Sequence, residues 1–81
     1  MSVRTSILEQ FAEVAEQQDR KLLRSDDETP LAETGLDSLC FAIIVAKLEN
    51  RLGVDPFSQS EDAQFPLTVG DFVAAYERAL A

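Results

Sequence analysis

The chain contains no histidine and no tryptophan. Without histidine it lacks the side chain that most often serves as a general base near neutral pH, and the commonest nitrogen ligand of zinc. Carboxylates could still do acid–base work, but a chain of 81 residues buries one modest core and can wall off little of a pocket. These absences weigh against catalysis. A single cysteine excludes an internal disulfide and fits a reducing compartment, so the chain reads as cytoplasmic. Basic residues are scarce: 7 Lys and Arg against 15 Asp and Glu leave a net charge of −8. Nucleic acids need a basic footprint and anionic membranes attract basic segments, so neither is an expected partner. The acidity favours solubility and attraction to basic patches on partner proteins. No apolar run is long enough to span a bilayer, and Ile7-Leu8 is followed at once by Glu9-Gln10, which breaks any secretory signal.

What is present is helical. In "SILEQFAEVAEQQ" the apolar residues Ile7, Leu8, Phe11, Val14 and Ala15 fall on one helical face. Ser6 with Glu9 fits a capping box, with an earlier start near Ser2 as the alternative. The pattern then stops. "DRKLLRSDDETPLAETGL" is charged, carries Pro30 and Gly35, and reads as a long loop anchored by Leu22, Leu23, Leu31 and Leu36. A second helix is expected from Ser38 to near Leu52, stopped by Gly53. A short turn or helix follows around Pro56 to Gln64, broken by Pro66. In the last helix Thr68 and Asp71 match a capping box, and Val69, Phe72, Val73, Tyr76 and Leu80 keep the helical spacing. The expected fold is all-α: a small four-helix bundle, three main helices plus one short one, with a long first loop. No repeat or second domain is visible, so residues 1–81 read as one domain.

On a wheel of the second helix, Phe41, Ile44, Val45, Leu48 and Leu52 form a core-facing stripe. Leu39, Ile43 and Ala46 fall opposite, near Lys47 and Asn50. Scattered apolar residues on a surface are ordinary, and the long loop could fold over them. They can also form a docking strip for another protein. Asp37-Ser38 stands directly before this strip. Either residue can serve simply as the helix cap. Alternatively the Ser38 hydroxyl is a handle for modification, since a helix N-terminus offers unpaired N–H groups and tolerates a phosphate. A triad nucleophile would need a base, and the G-x-S-x-G elbow is absent.

"GLDSL", Gly35 to Leu39, resembles the attachment motif of the acyl carrier proteins and the related peptidyl carrier domains. The length, the acidity and the order helix, long loop, helix, short helix, helix resemble that family along essentially the whole chain. The resemblance implies that Ser38 carries 4′-phosphopantetheine, transferred from coenzyme A by a magnesium-dependent phosphopantetheinyl transferase. The thiol of the arm would hold acyl or aminoacyl groups as thioesters for delivery to ligases, synthases or transferases, the carrier itself being a monomer and no enzyme. Asp37 matches the acidic residue of the motif that helps the transferase dock. Leu39 matches the apolar residue that partners grip, and with Ile43 and Ala46 it makes up the expected partner face. Many members part their helices slightly to hold an acyl chain.

One departure is specific. Fatty-acid-synthesis carriers that this chain resembles usually have an acidic second helix. Here its outer stretch offers Cys40, Ile43, Lys47 and Asn50, and Glu49 is the helix's one acidic residue. The acidity sits in "SDDE" and "SED" instead. Dedicated partners that grip an apolar patch are the expectation, in a specialised lipid or polyketide pathway, or an amino-acid ligase loading an aminoacyl group. The competing class is an unmodified acidic interaction domain, with Asp37-Ser38 a cap and Leu39, Ile43 and Ala46 the binding face. A small hydrolase ranks far behind. Cys40 reads as a small, partly buried side chain rather than a reactive thiol. "DDETPLAETG" lacks the spaced ligands of an EF-hand, so no metal site is expected. Phe57 and Phe65 read as plugs of the bundle or as lining of an acyl channel.

Overall fold

The computed structural model describes residues 2–57 and 66–81. Among these, three α-helices stand in chain order, α1 (Val3–Gln17), α2 (Ser38–Leu52) and α3 (Val69–Leu80), with one 3-10 turn at Leu31–Glu33 and no strand. α1 packs against both α2 and α3. The expected short helix around 56–64 and Phe65 lie almost wholly outside the described residues; Pro56 and Phe57 form a turn.

α1 starts at Ser2 rather than Ser6: the Ser2 hydroxyl accepts the Thr5 N–H at 3.1 Å. Ser6 is buried within the first turns, where its hydroxyl is no cap. Ile7, Phe11 and Val14 are fully buried, with Ala15 beside them. α2 ends as its sequence requires, with Gly53 at φ 80 in the left-handed region and its N–H donating to the Glu49 carbonyl at 2.8 Å. α3 places Val69, Phe72, Val73 and Tyr76 in the core, whereas Leu80 in the last turn is 40% exposed. Phe11, Phe41 and Phe72 meet from the three helices, Phe11 edge-on to Phe41 at 5.6 Å and to Phe72 at 5.4 Å. Rings buried this way contribute roughly 1.5–3 kcal/mol each and hold the bundle together.

The core stripe of α2 is turned slightly from the expected one. Cys40, Phe41, Ile44 and Leu48 are buried, while Val45 and Leu52 sit at its edge. Cys40 is therefore not on the outer stretch. It shares a face with Ile44 and Leu48 at i, i+4 and i+8, the spacing of one helical side. Lys47, on the flank, bonds Glu13 of α1 at 3.3 Å, and Arg51 lies 3.8 Å from Glu9. These pairs tie α2 to α1 on the outside and contribute little each.

The long loop is ordered by two seams. Near α3, the Val69 N–H donates to the Thr29 carbonyl at 3.0 Å, Gly70 to Asp27 at 2.9 Å, and the Leu31 N–H to Leu67 at 2.9 Å. Near α2, the Leu23 N–H donates to the Thr34 carbonyl at 2.9 Å. Leu31 and Leu36 are buried anchors and Leu22 packs on the core. Leu23 is not an anchor: it is 62% exposed. Of this pair, Leu22 faces the core and Leu23 faces solvent.

Candidate functional site

The site grows from the start of α2. Asp37, in extended backbone, is the N-cap: its Oδ1 accepts the Cys40 N–H at 2.9 Å, and its carbonyl accepts the Phe41 N–H at 3.1 Å. Ser38 is therefore the first helical residue and not the cap, and its side chain is exposed. The backbone N–H groups of Ser38 and Leu39 have no acceptor among the described residues. Together with the helix dipole, they make this end a place that favours an anion.

Asp37 has a second tie. Its Oδ2 lies 2.7 Å from Nη2 of Arg20. The hydrogen bond from the Cys40 backbone holds the Asp37 carboxyl below its ordinary range; the Cys40 side chain acts the same way, desolvation opposes them, and the charge of Arg20 adds a smaller lowering. Thr34 steadies the approach to Ser38: its hydroxyl donates to the Leu31 carbonyl at 2.7 Å and accepts the Leu36 N–H at 3.3 Å. Gly35 has φ 91, and a Cβ there would run into the Lys21 carbonyl oxygen. The glycine of the motif is thus required twice, for a left-handed turn and for the close passage of the chain behind it.

An open cleft of about 690 Å³ begins at Ser38. Its walls are apolar: Leu31 and Leu36 from the loop, Phe41 and Val45 from α2, and Phe57 beyond it, with Asp37 and Asp55 also lining it. Phe57 also lies tilted against Phe72 at 5.3 Å and meets Tyr76 edge-on at 5.6 Å. It is at once a plug of the bundle and a wall of the cleft.

The three residues of the expected partner face differ. Leu39 is 60% exposed and Ala46 is exposed, whereas Ile43 is half-buried and packs against the core from the flank. Two residues of the site escaped sequence reading. Arg20 sits seventeen positions before Asp37 with no local pattern to join them, and Asp55 is placed at the cleft only by the turn after α2. No group of three or more Cys, Asp or Glu among the described residues could hold a metal ion, and no described helix is long and apolar enough to cross a membrane.

The geometry fits a phosphorylated arm: an exposed hydroxyl, two open N–H donors and a lined cleft at one helix end. No curated protein and no solved structure matches the chain significantly. A family model described as a phosphopantetheine attachment site matches residues 5–59, which takes in α1 from Thr5 onward, the long loop and all of α2. Domains of this kind carry covalently attached 4′-phosphopantetheine, meet phosphopantetheinyl transferases and biosynthetic enzymes, and are non-catalytic. The chain therefore belongs to the phosphopantetheine-binding carrier family.

Proposed function

We propose that Ser38 bears the arm, that residues 1–81 form a single carrier domain, and that it delivers acyl intermediates to dedicated enzymes of a specialised lipid or polyketide pathway. The observation that carries the first point is the exposed Ser38 hydroxyl beside two open backbone donors at the mouth of the cleft. The arm's phosphodiester would lie near the Ser38 and Leu39 N–H groups. When attached, the arm supplies a thiol that holds the cargo as a thioester. The residues of this chain hold, expose and shelter.

The largely apolar cleft supports an acyl cargo. Leu39 and Ala46, exposed on a helix with one carboxylate, support partners that read an apolar patch rather than a row of acids. A small contact of this kind also suits a shuttle, which must release quickly. A second reading is favoured by Asp37 and Asp55 in the cleft lining. Two carboxylates beside the arm suit the ammonium group of an aminoacyl cargo loaded by an amino-acid ligase.

Intact mass tests the attachment. Wild type and Ser38→Ala are incubated with coenzyme A, magnesium and a broad-specificity phosphopantetheinyl transferase. A gain of one phosphopantetheine in wild type only is expected. No gain in folded wild type, or an equal gain in both, overturns the assignment of Ser38. Supplying the holo protein with acyl or amino-acid ligases then separates the two cargo classes by the mass that stays on the thiol.

A further inference from the structure

Arg20 stands apart from the other paired cations. Arg4, Lys47 and Arg51 pair with Asp27, Glu13 and Glu9, and Arg24 lies 3.7 Å from Asp26. Among the described residues Arg20 alone pairs with a carboxylate adjoining Ser38. Its place is fixed from several sides. Asp19 adopts φ 55, a left-handed conformation that Asp tolerates better than most residues, and turns the chain after α1. The Arg20 N–H then donates to the Ala15 carbonyl at 2.7 Å. One residue on, the Lys21 carbonyl lies against Gly35, and the Leu23 N–H reaches Thr34. The strip 20–23 is thereby laid beside Thr34 and Gly35, and the Arg20 side chain reaches on to Asp37, immediately before Ser38.

A phosphodiester on Ser38 would bring a second anion beside the Asp37 carboxylate. The nearby Cys40 and Phe41 N–H groups are already taken by Asp37. The guanidinium of Arg20 has five N–H donors in a planar fork, and its contact with Asp37 is through Nη2. One cation shared between two neighbouring anions offsets their repulsion. We propose that Arg20 is a positioning residue for the arm, its guanidinium bridging the Asp37 carboxylate and the phosphodiester on Ser38 and so setting the direction in which the arm leaves the protein. This rests on Ser38 being the attachment residue. The competing role is a clamp that ties the loop to Asp37 and is indifferent to the arm.

The test uses holo wild type, Arg20→Gln and Arg20→Lys, each verified by intact mass and by circular dichroism. The phosphorus-31 resonance of the arm is recorded in buffer and in urea. In wild type the folded resonance is expected to be displaced from its unfolded position. Arg20→Gln should lose at least half of that displacement, and Arg20→Lys should fall between Arg20→Gln and wild type, because an ammonium supplies the charge but not the planar fork. A folded holo Arg20→Gln protein with the wild-type resonance overturns the proposal. A second readout needs no variant: the Arg20 Nε–H resonance of wild type, compared between apo and holo forms. It should move on attachment of the arm, and an unmoved resonance also overturns the proposal. Wild type that gains no arm fails at the mass step, which is a failure of the Ser38 assignment and is told apart there.

Discussion

At the start of α3 every backbone N–H of the first turn has a protein acceptor. Val69 and Gly70 donate to loop carbonyls, Asp71 to the Thr68 hydroxyl at 3.1 Å, and Phe72 to the Thr68 carbonyl at 3.0 Å. At the start of α2 the same local devices are present, a capping side chain and a first intrahelical bond, but the Ser38 and Leu39 N–H groups have no acceptor among the described residues. The loop makes the difference. Its residues 27–29 lie across the end of α3 and give it carbonyls. Its strip 20–23 runs beside residues 34–35, stops short of the end of α2, and sends a guanidinium instead. A covered helix end is a joint between elements. An uncovered one beside an exposed hydroxyl is a place to hold an anion. The two ends can be told apart by what substitutions do to them.

The largest effect is expected where the strip meets the motif. Gly35→Ala places a side chain at φ 91 and against the Lys21 carbonyl, and should destabilise the fold by on the order of 3 kcal/mol, read from urea unfolding. Gly53→Ala is the matched control: φ is 80 but nothing lies within 4 Å of the new Cβ, so only the conformational cost of about 1–2 kcal/mol applies. Equal costs at the two positions would show that the strip is not fixed on the motif. Thr68→Ala comes next. It removes the cap at the closed end and should cost about 1 kcal/mol, while the rate of arm attachment, followed by intact mass, stays at the wild-type value. A slowed attachment would mean that the two ends are not separate in function.

Asp37→Asn sharpens the comparison at the open end. Asn caps a helix about as well as Asp, so the change isolates the charge. The Asp37 carboxyl has its pKa lowered in the folded state. A group of that kind contributes stability above its unfolded pKa of about 4 and loses it as pH falls through the lower folded value. Wild type should therefore unfold at higher urea than Asp37→Asn at pH 7, and the gap should close as the pH falls toward about 2. A gap that persists unchanged in acid would show that charge is not what Asp37 contributes.

These contrasts also mark what was legible in the amino acids. The bounds of α2, its stop at Gly53 and the Thr68 cap of α3 follow from signals a few residues apart. The motif Gly35 to Leu39 points to the candidate site for the same reason, since helix start and hydroxyl are neighbours in the chain. What was not legible is non-local. Nothing near Val69 or Gly70 announces that Thr29 and Asp27 will supply their acceptors, and nothing near Asp37 announces Arg20. Leu22 and Leu23 are chemically alike, and only the path of the backbone decides which one faces the core. The place of Cys40 is legible as well, because i, i+4, i+8 spacing joins it to Ile44 and Leu48 on the buried side of α2.

The smallest effect is expected at the residue proposed to bear the arm. Were Ser38 the cap of α2, Ser38→Ala would cost about 1 kcal/mol. In the fold, Asp37 accepts the Cys40 N–H and Ser38 occupies the first helical position with an exposed side chain. Ala is at least as good a helix former as Ser there. The apo Ser38→Ala protein should thus unfold within about 0.5 kcal/mol of wild type, and yet accept no arm. Stability and attachment should separate at this position, because the neighbouring residue closes the helix and leaves the hydroxyl exposed. A loss near 1 kcal/mol would instead make Ser38 a structural residue, and the open end of α2 would be less open than its hydrogen bonds indicate.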